Sequence, residues 1–436
     1  MQRVGNTGRG FASWQGRTTA ATVSIVALIG LSACTSSTKG GTSQSPVAQS
    51  SSGVDGSSSA PSSSSAPPVA AAVITSLPAD GAKTVNPATP VTVNVANGKL
   101  TSVKLTNSAG KTVSGALAAD GSSWHSTEVL GYSKIYQLTA TAQDAEGRPT
   151  VKHGTITTVT PNNQTMPYFK TIYGTDLQRG ATYGVGMIAE VQFDEPVPDR
   201  RAAEKLLTVT TTPHVSGAWY WTDDHTAHWR PMTFYKTGTT VHIDAKVYGA
   251  NLGGGLYGQS DTSTSFKIGA KHVAIADAKT HQVKVWFNNK FQRSMPTSMG
   301  QGGYVAGKNG QISLWTMPGY YTVINHENPA TMSSDSYGLP ANSPYGYAPE
   351  KVPYATKISI DGIYLHELDT TVNQQGNTNV SHGCLNLNYT NAKWYYENSV
   401  VGDVVKVINS GGPTIQVFQG GDWSLPWTQW VKGGNV

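Results

Sequence analysis

Cysteine is nearly missing from this chain, which holds only Cys34 and Cys384 in 436 residues, too few for a disulfide framework. Charge is also scarce. Only 13% of residues are charged, the formal net charge is +5, and no run of five or more Lys/Arg occurs, which excludes nucleic acid as a partner. The helix formers Glu, Lys and Leu give way to Gly, Ser, Thr and Asn through most of the sequence, so the fold class expected is mainly β. At about 150 residues per domain, the length suggests roughly three folded units.

The N-terminus carries an address. Arg3, Arg9 and Arg17 precede an apolar run from Ala20 to Leu31, too short to span a membrane comfortably but suited to a signal peptide. Leu31-Ser32-Ala33-Cys34 closes it and resembles a bacterial lipoprotein cleavage box. The reading preferred over an ordinary signal peptide is a 1–33 signal followed by a lipidated Cys34, with the protein exported and anchored on the outer face of the cell membrane. Cys384 is then a lone free thiol, and a reactive role is its sharper reading.

Residues 34–68, rich in Ser, Gly, Pro and Ala, read as a tether with a maximal reach on the order of 100 Å. From 69 to 158, short alternating runs such as Val91–Val95 and Tyr136–Ala140, separated by turns at Gly110 and Gly147, predict a β-sandwich. Residues 159–268 repeat the pattern, with strands at Ile188–Phe193 and Val241–Ala245. A turn at Asp223-Asp224 joins the Trp219–Trp221 and His228–Arg230 runs. Near it, His225 and His228 lack further ligands at metal-binding spacing and read as solvated residues of a hairpin. Strands continue from 269 to 410, with one short helix at Lys393–Asn398 capped by Asn391 and a closing strand at Val404–Ile408. In the 411–436 tail, Trp423, Trp427 and Trp430 either stack on glycan or pack back on the protein, and the second is favoured.

The chemistry concentrates between His366 and Asn386. In Ser381-His382-Gly383-Cys384 the thiol follows a glycine, which lets a substrate carbonyl approach the amides beside the nucleophile. A thiol needs a base, because the thiolate is the nucleophile. Two candidates compete: His366, at the end of the strand-like Gly362–Leu365 run, and His382, two residues before Cys384. Spacing alone does not choose between them.

Gly362-Ile363-Tyr364-Leu365-His366 followed by Thr378-Asn379-Val380-Ser381-His382-Gly383-Cys384-Leu385-Asn386 resembles the L,D-transpeptidases with a YkuD-type catalytic domain, in particular actinobacterial lipoproteins carrying two immunoglobulin-like domains before it. The resemblance implies two immunoglobulin-like sandwiches ahead of a β-rich catalytic domain. It implies Cys384 as nucleophile, His366 as general base and the Gly383 and Cys384 amides as oxyanion donors. Thr331-Met332, Ser336-Tyr337-Gly338 and Gly346-Tyr347 correspond to a lid with a substrate-binding tyrosine. Asp361, Gly362 and Asn386 correspond to the donor site, and Ser381 and Glu367 join the expected substrate contacts. Glu367 and Thr370 depart from relatives that have a small residue and an aromatic there, which bears on substrate preference and inhibitor susceptibility.

The implied reaction is peptidoglycan cross-linking without a cofactor. Cys384 attacks the carbonyl at the L-centre of meso-diaminopimelate in a tetrapeptide stem and expels D-alanine; a second stem's amine then resolves the thioester into a 3→3 link. Carbapenem β-lactams are the expected inhibitors. The rival readings are an L,D-carboxypeptidase on the same scaffold and a non-catalytic wall-binding lipoprotein. A papain-like peptidase is disfavoured, since it places cysteine before histidine.

Overall fold

The computed structural model describes residues 68–435; Cys34, the expected signal segment and most of the expected tether lie outside them. Two sandwiches precede a third β-rich unit, so the mainly β expectation holds. In the first, one sheet holds Val73–Leu77, Thr92–Ala96, Ser123–Ser126 and Gly115–Leu117. The other holds Ala82–Val85, Pro149–Thr158, Ile135–Gln143 and Lys99–Asn107. Period-two patterning makes this possible: along Ile135–Gln143, Tyr136, Leu138, Ala140 and Ala142 turn inward to meet Val93, Leu105 and Trp124.

The second sandwich pairs a sheet of Pro167–Lys170, Ala189–Phe193, Thr226–Pro231 and Gly217–Trp221 with one of Thr182–Tyr183, Thr262–Ile268, Thr240–Ala245 and Leu207–Thr212. Strand Thr226–Pro231 is buried at every position, because both of its faces are covered. Ala227 and Trp229 join the sandwich core, while His228 and Arg230 meet the C-terminal tail.

His228 is therefore not the solvated residue expected of a polar hairpin. Its Nδ1 lies 2.6 Å from Asp422 and its Nε2 3.2 Å from Glu190, with all three buried. Burial opposes the imidazolium, but the two carboxylates outweigh it and hold the pKa up at about 10. His225, by contrast, sits on the exposed turn 2.6 Å from Asp224. The Arg230 guanidinium lies 4.4, 4.8 and 5.4 Å from the rings of Trp430, Trp423 and Trp427. Trp423 and Trp430 donate their indole N–H groups to the carbonyls of Gly186 and Ala218.

In the third unit a five-stranded sheet runs Lys290–Pro296, Gln282–Phe287, His272–Asp277, Val404–Ile408 and Gly319–Thr322. A second sheet, Asn325–Glu327, Ala355–Lys357, Tyr364–Glu367 and Leu385–Leu387, holds the chemistry. The helix is longer than expected, Tyr389–Asn398, and Asn388 caps it by accepting from the Asn391 amide. Either Asn suits a cap by composition; the strand ending at Leu387 sets the earlier start. Hairpin Ala330–Met332/Glu350–Val352 carries residues 333–349 over the site. The second and third units meet along a backbone seam, where the Gly184 and Gly186 amides donate to the carbonyls of Val401 and Gly402, each at 2.8 Å.

Candidate active site

Parallel pairing sets the central geometry. Strand Tyr364–Glu367 lies beside Leu385–Leu387 with His366 opposite Asn386. Cys384 immediately precedes the second strand, two residues before Asn386, so the thiol and His366 reach one cavity of about 210 Å³. A wider cavity of about 430 Å³ opens on the other side of Cys384. Cys384, His382 and Tyr347 border both.

His366 is buried, and its Nδ1 lies 2.7 Å from the Glu367 carbonyl. A carbonyl can only accept, so Nδ1 carries the proton and Nε2 keeps a lone pair for the cavity. Burial lowers the pKa of His366 to about 4, although the Glu367 carbonyl supports the charged form. Burial likewise pushes the Cys384 thiol up to about 11, against the favourable Tyr364 amide. The resting pair is thus a neutral thiol and a neutral base that line one cavity, with the thiol 3.7 Å from the Gly362 carbonyl. His382 is placed differently. Its ring packs 5.4 Å from that of Tyr347, and burial lowers its pKa while the Tyr345 carbonyl raises it, so its partners are lid residues.

The loop before the nucleophile is braced internally. Ser381 Oγ donates to the Cys384 carbonyl at 2.6 Å and accepts from the Gly383 amide at 3.1 Å. The fully buried Thr316 accepts from Gly300 and donates to the Gly383 carbonyl at 2.6 Å. Gly383 has φ 141°, a conformation that a side chain strongly disfavours. Without substrate, the Gly383 amide donates to Ser381. Among the described residues the Cys384 amide makes no hydrogen bond, which leaves it the donor available to an oxyanion.

The other expected site residues divide between the cavities. Met332, Ser381 and Asn386 line the smaller one; Tyr337, Asp361, Gly362 and Gly383 line the larger. Asp361 also holds the loop in place, taking hydrogen bonds from Ser359 at 2.5 Å and Gln419 at 2.6 Å. Glu367, an expected substrate contact, points elsewhere in this structure. Its carboxylate accepts from the Asp369 amide at 2.7 Å, at the start of the Asp369–Thr371 turn, and lines neither cavity. Thr370 is exposed on the same turn. Glu350 in the smaller cavity and Trp315, Gln419 and Phe418 in the larger were not anticipated. They come from segments far from the motif, with no local signal of their own.

The chain is similar to known proteins over most of its length. Residues 271–407 match the family model described as the L,D-transpeptidase catalytic domain, and residues 82–251 match the bacterial Ig domain. The chain is 40% identical over 364 residues to L,D-transpeptidase 2 of Mycobacterium tuberculosis, covering 83% of this chain and 85% of that protein. It is 36% identical over 368 residues to L,D-transpeptidase 5 of the same species, covering 82% and 76%. A solved L,D-transpeptidase in complex with imipenem is 27% identical, covering 56% of this chain and 99% of that one with a TM-score of 0.45.

Proposed function

This chain belongs to the L,D-transpeptidase family, and we infer that its peptidoglycan cross-linking proceeds by two-step acyl transfer through a thioester on Cys384. The observation that carries this reading is the His366–Glu367 carbonyl bond, which leaves Nε2 as a base in the cavity of the thiol. In the first step Nε2 takes the thiol proton as sulfur attacks the carbonyl at the L-centre of diaminopimelate in a tetrapeptide stem. The Cys384 amide donates to the developing oxyanion. Collapse expels D-alanine, which leaves with the proton held by His366.

An amine of a second stem then attacks the thioester, His366 again receives a proton, and the released thiol takes it back. The product is a 3→3 cross-link. Cavities on both sides of Cys384 favour two-substrate transfer over hydrolysis by an L,D-carboxypeptidase. Incubation with a disaccharide-tetrapeptide separates the two: transfer yields dimers, whereas hydrolysis yields only the tripeptide monomer. A reactive Cys384 thiol is the group that carbapenems would acylate. We further propose that the protein is exported and held by lipid on Cys34, a reading supported by the sequence before that residue.

A further inference from the structure

Phe418 is the most exposed of the large apolar side chains described, at 76%, and it borders the cavity that contains Cys384. A lone exposed apolar residue needs no explanation, but this one is held in place. It sits in the turn Val417–Gln419, where Gln419 accepts from the Gln416 amide at 3.0 Å, donates to Asp361 at 2.6 Å, and through its carbonyl receives the Ile360 amide at 2.9 Å. The ring is therefore presented at the mouth of the cavity by a turn bonded to the site loop. Two exposed amide side chains, Gln311 and Gln416, border the same cavity.

We propose that Phe418 forms a saccharide-stacking subsite that holds the glycan end of the donor strand. The inference rests on the donor chemistry proposed above. Between the attacked carbonyl and the sugar lie three stem residues, a span of roughly 10 Å when extended, so a donor acylating Cys384 carries its sugar outward to the rim. The stem itself offers a phenyl ring little, because its side chains are charged, polar or a single methyl. The C–H face of the sugar is the one broad apolar plane in the substrate, and neighbouring amides suit its hydroxyl and acetamido groups. Trp423, Trp427 and Trp430, the tail aromatics first considered for glycan, are instead engaged with Arg230.

The test compares KM for a disaccharide-tetrapeptide and for the free tetrapeptide, using the full folded chain and its Phe418→Ala and Phe418→Trp variants. The wild type is expected to favour the disaccharide donor by on the order of tenfold in KM, Phe418→Ala to bring the two within about twofold, and Phe418→Trp to restore the preference. Similar kcat values and unchanged melting temperatures accompany this result. An unchanged preference in Phe418→Ala overturns the subsite, and an equal rise in KM for both donors assigns the ring to the peptide and overturns it too. A wild type that uses both donors without preference also rejects it. Failure of the wild type to turn over either donor removes the transfer reading itself, and the subsite with it.

Discussion

The Nδ1 atom of His366 lies 2.7 Å from the carbonyl oxygen of Glu367, the residue that follows it. A main-chain atom fixes the tautomer of the base, so the identity of the Glu367 side chain does not decide whether His366 can act. That carboxylate is occupied elsewhere, on the Asp369 amide.

Replacing each histidine distinguishes their roles. His366→Ala should lower the rate of acylation by a β-lactam by on the order of a hundredfold or more, the scale for loss of a general base. His382→Ala, which removes a partner of the lid, should cost less than about tenfold. The reverse order in stopped-flow measurements would show that the base is misassigned.

The pH profile follows from the shifted groups. With His366 lowered to about 4 and Cys384 raised to about 11, the neutral pair persists across the range between. Protonated His366 cannot accept the thiol proton, so acylation should be flat from about pH 6 to 9 and fall as pH drops through about 4. An inflection near 6.5, the ordinary histidine value, would count against this. Circular dichroism at each pH separates titration from unfolding.

The site motif was readable because Cys384, Gly383 and His382 are contiguous and the apolar run before His366 marks its strand. Alternation likewise disclosed both sandwiches. What stayed hidden was set by distant partners. Thr316 braces Gly383 from 67 positions away, and the buried environment of His228 comes from Asp422, 194 positions on. The direction of the Glu367 side chain was hidden for the opposite reason. Its neighbour two residues on supplies a free amide that the carboxylate caps, and composition does not show which way a side chain turns.

His228 links the second sandwich to the tail. Its folded pKa of about 10 exceeds the ordinary value of about 6.5, so its stabilising contribution is complete below about pH 6.5 and is lost as pH rises through about 10. His228→Gln should melt several degrees below the wild type at pH 6, with the gap narrowing by pH 9.5. A gap that does not change with pH would mean that the imidazolium is not what Asp422 and Glu190 stabilise.

The proposed anchor has its own test. Cys34→Ala should leave dimer formation by the purified protein unchanged and move the protein from washed membranes to the soluble fraction. Retention in the membranes would argue for another anchor.

The central claim is the thioester on Cys384, and intact-protein mass spectrometry with a tetrapeptide donor tests it most directly. Quenching early in turnover should reveal a species heavier by the donor minus D-alanine, with peptide mapping assigning the added mass to the segment containing Cys384. Cys384→Ala should give neither adduct nor dimer while keeping its fold. An adduct on another residue, or dimers formed by Cys384→Ala, would contradict the mechanism.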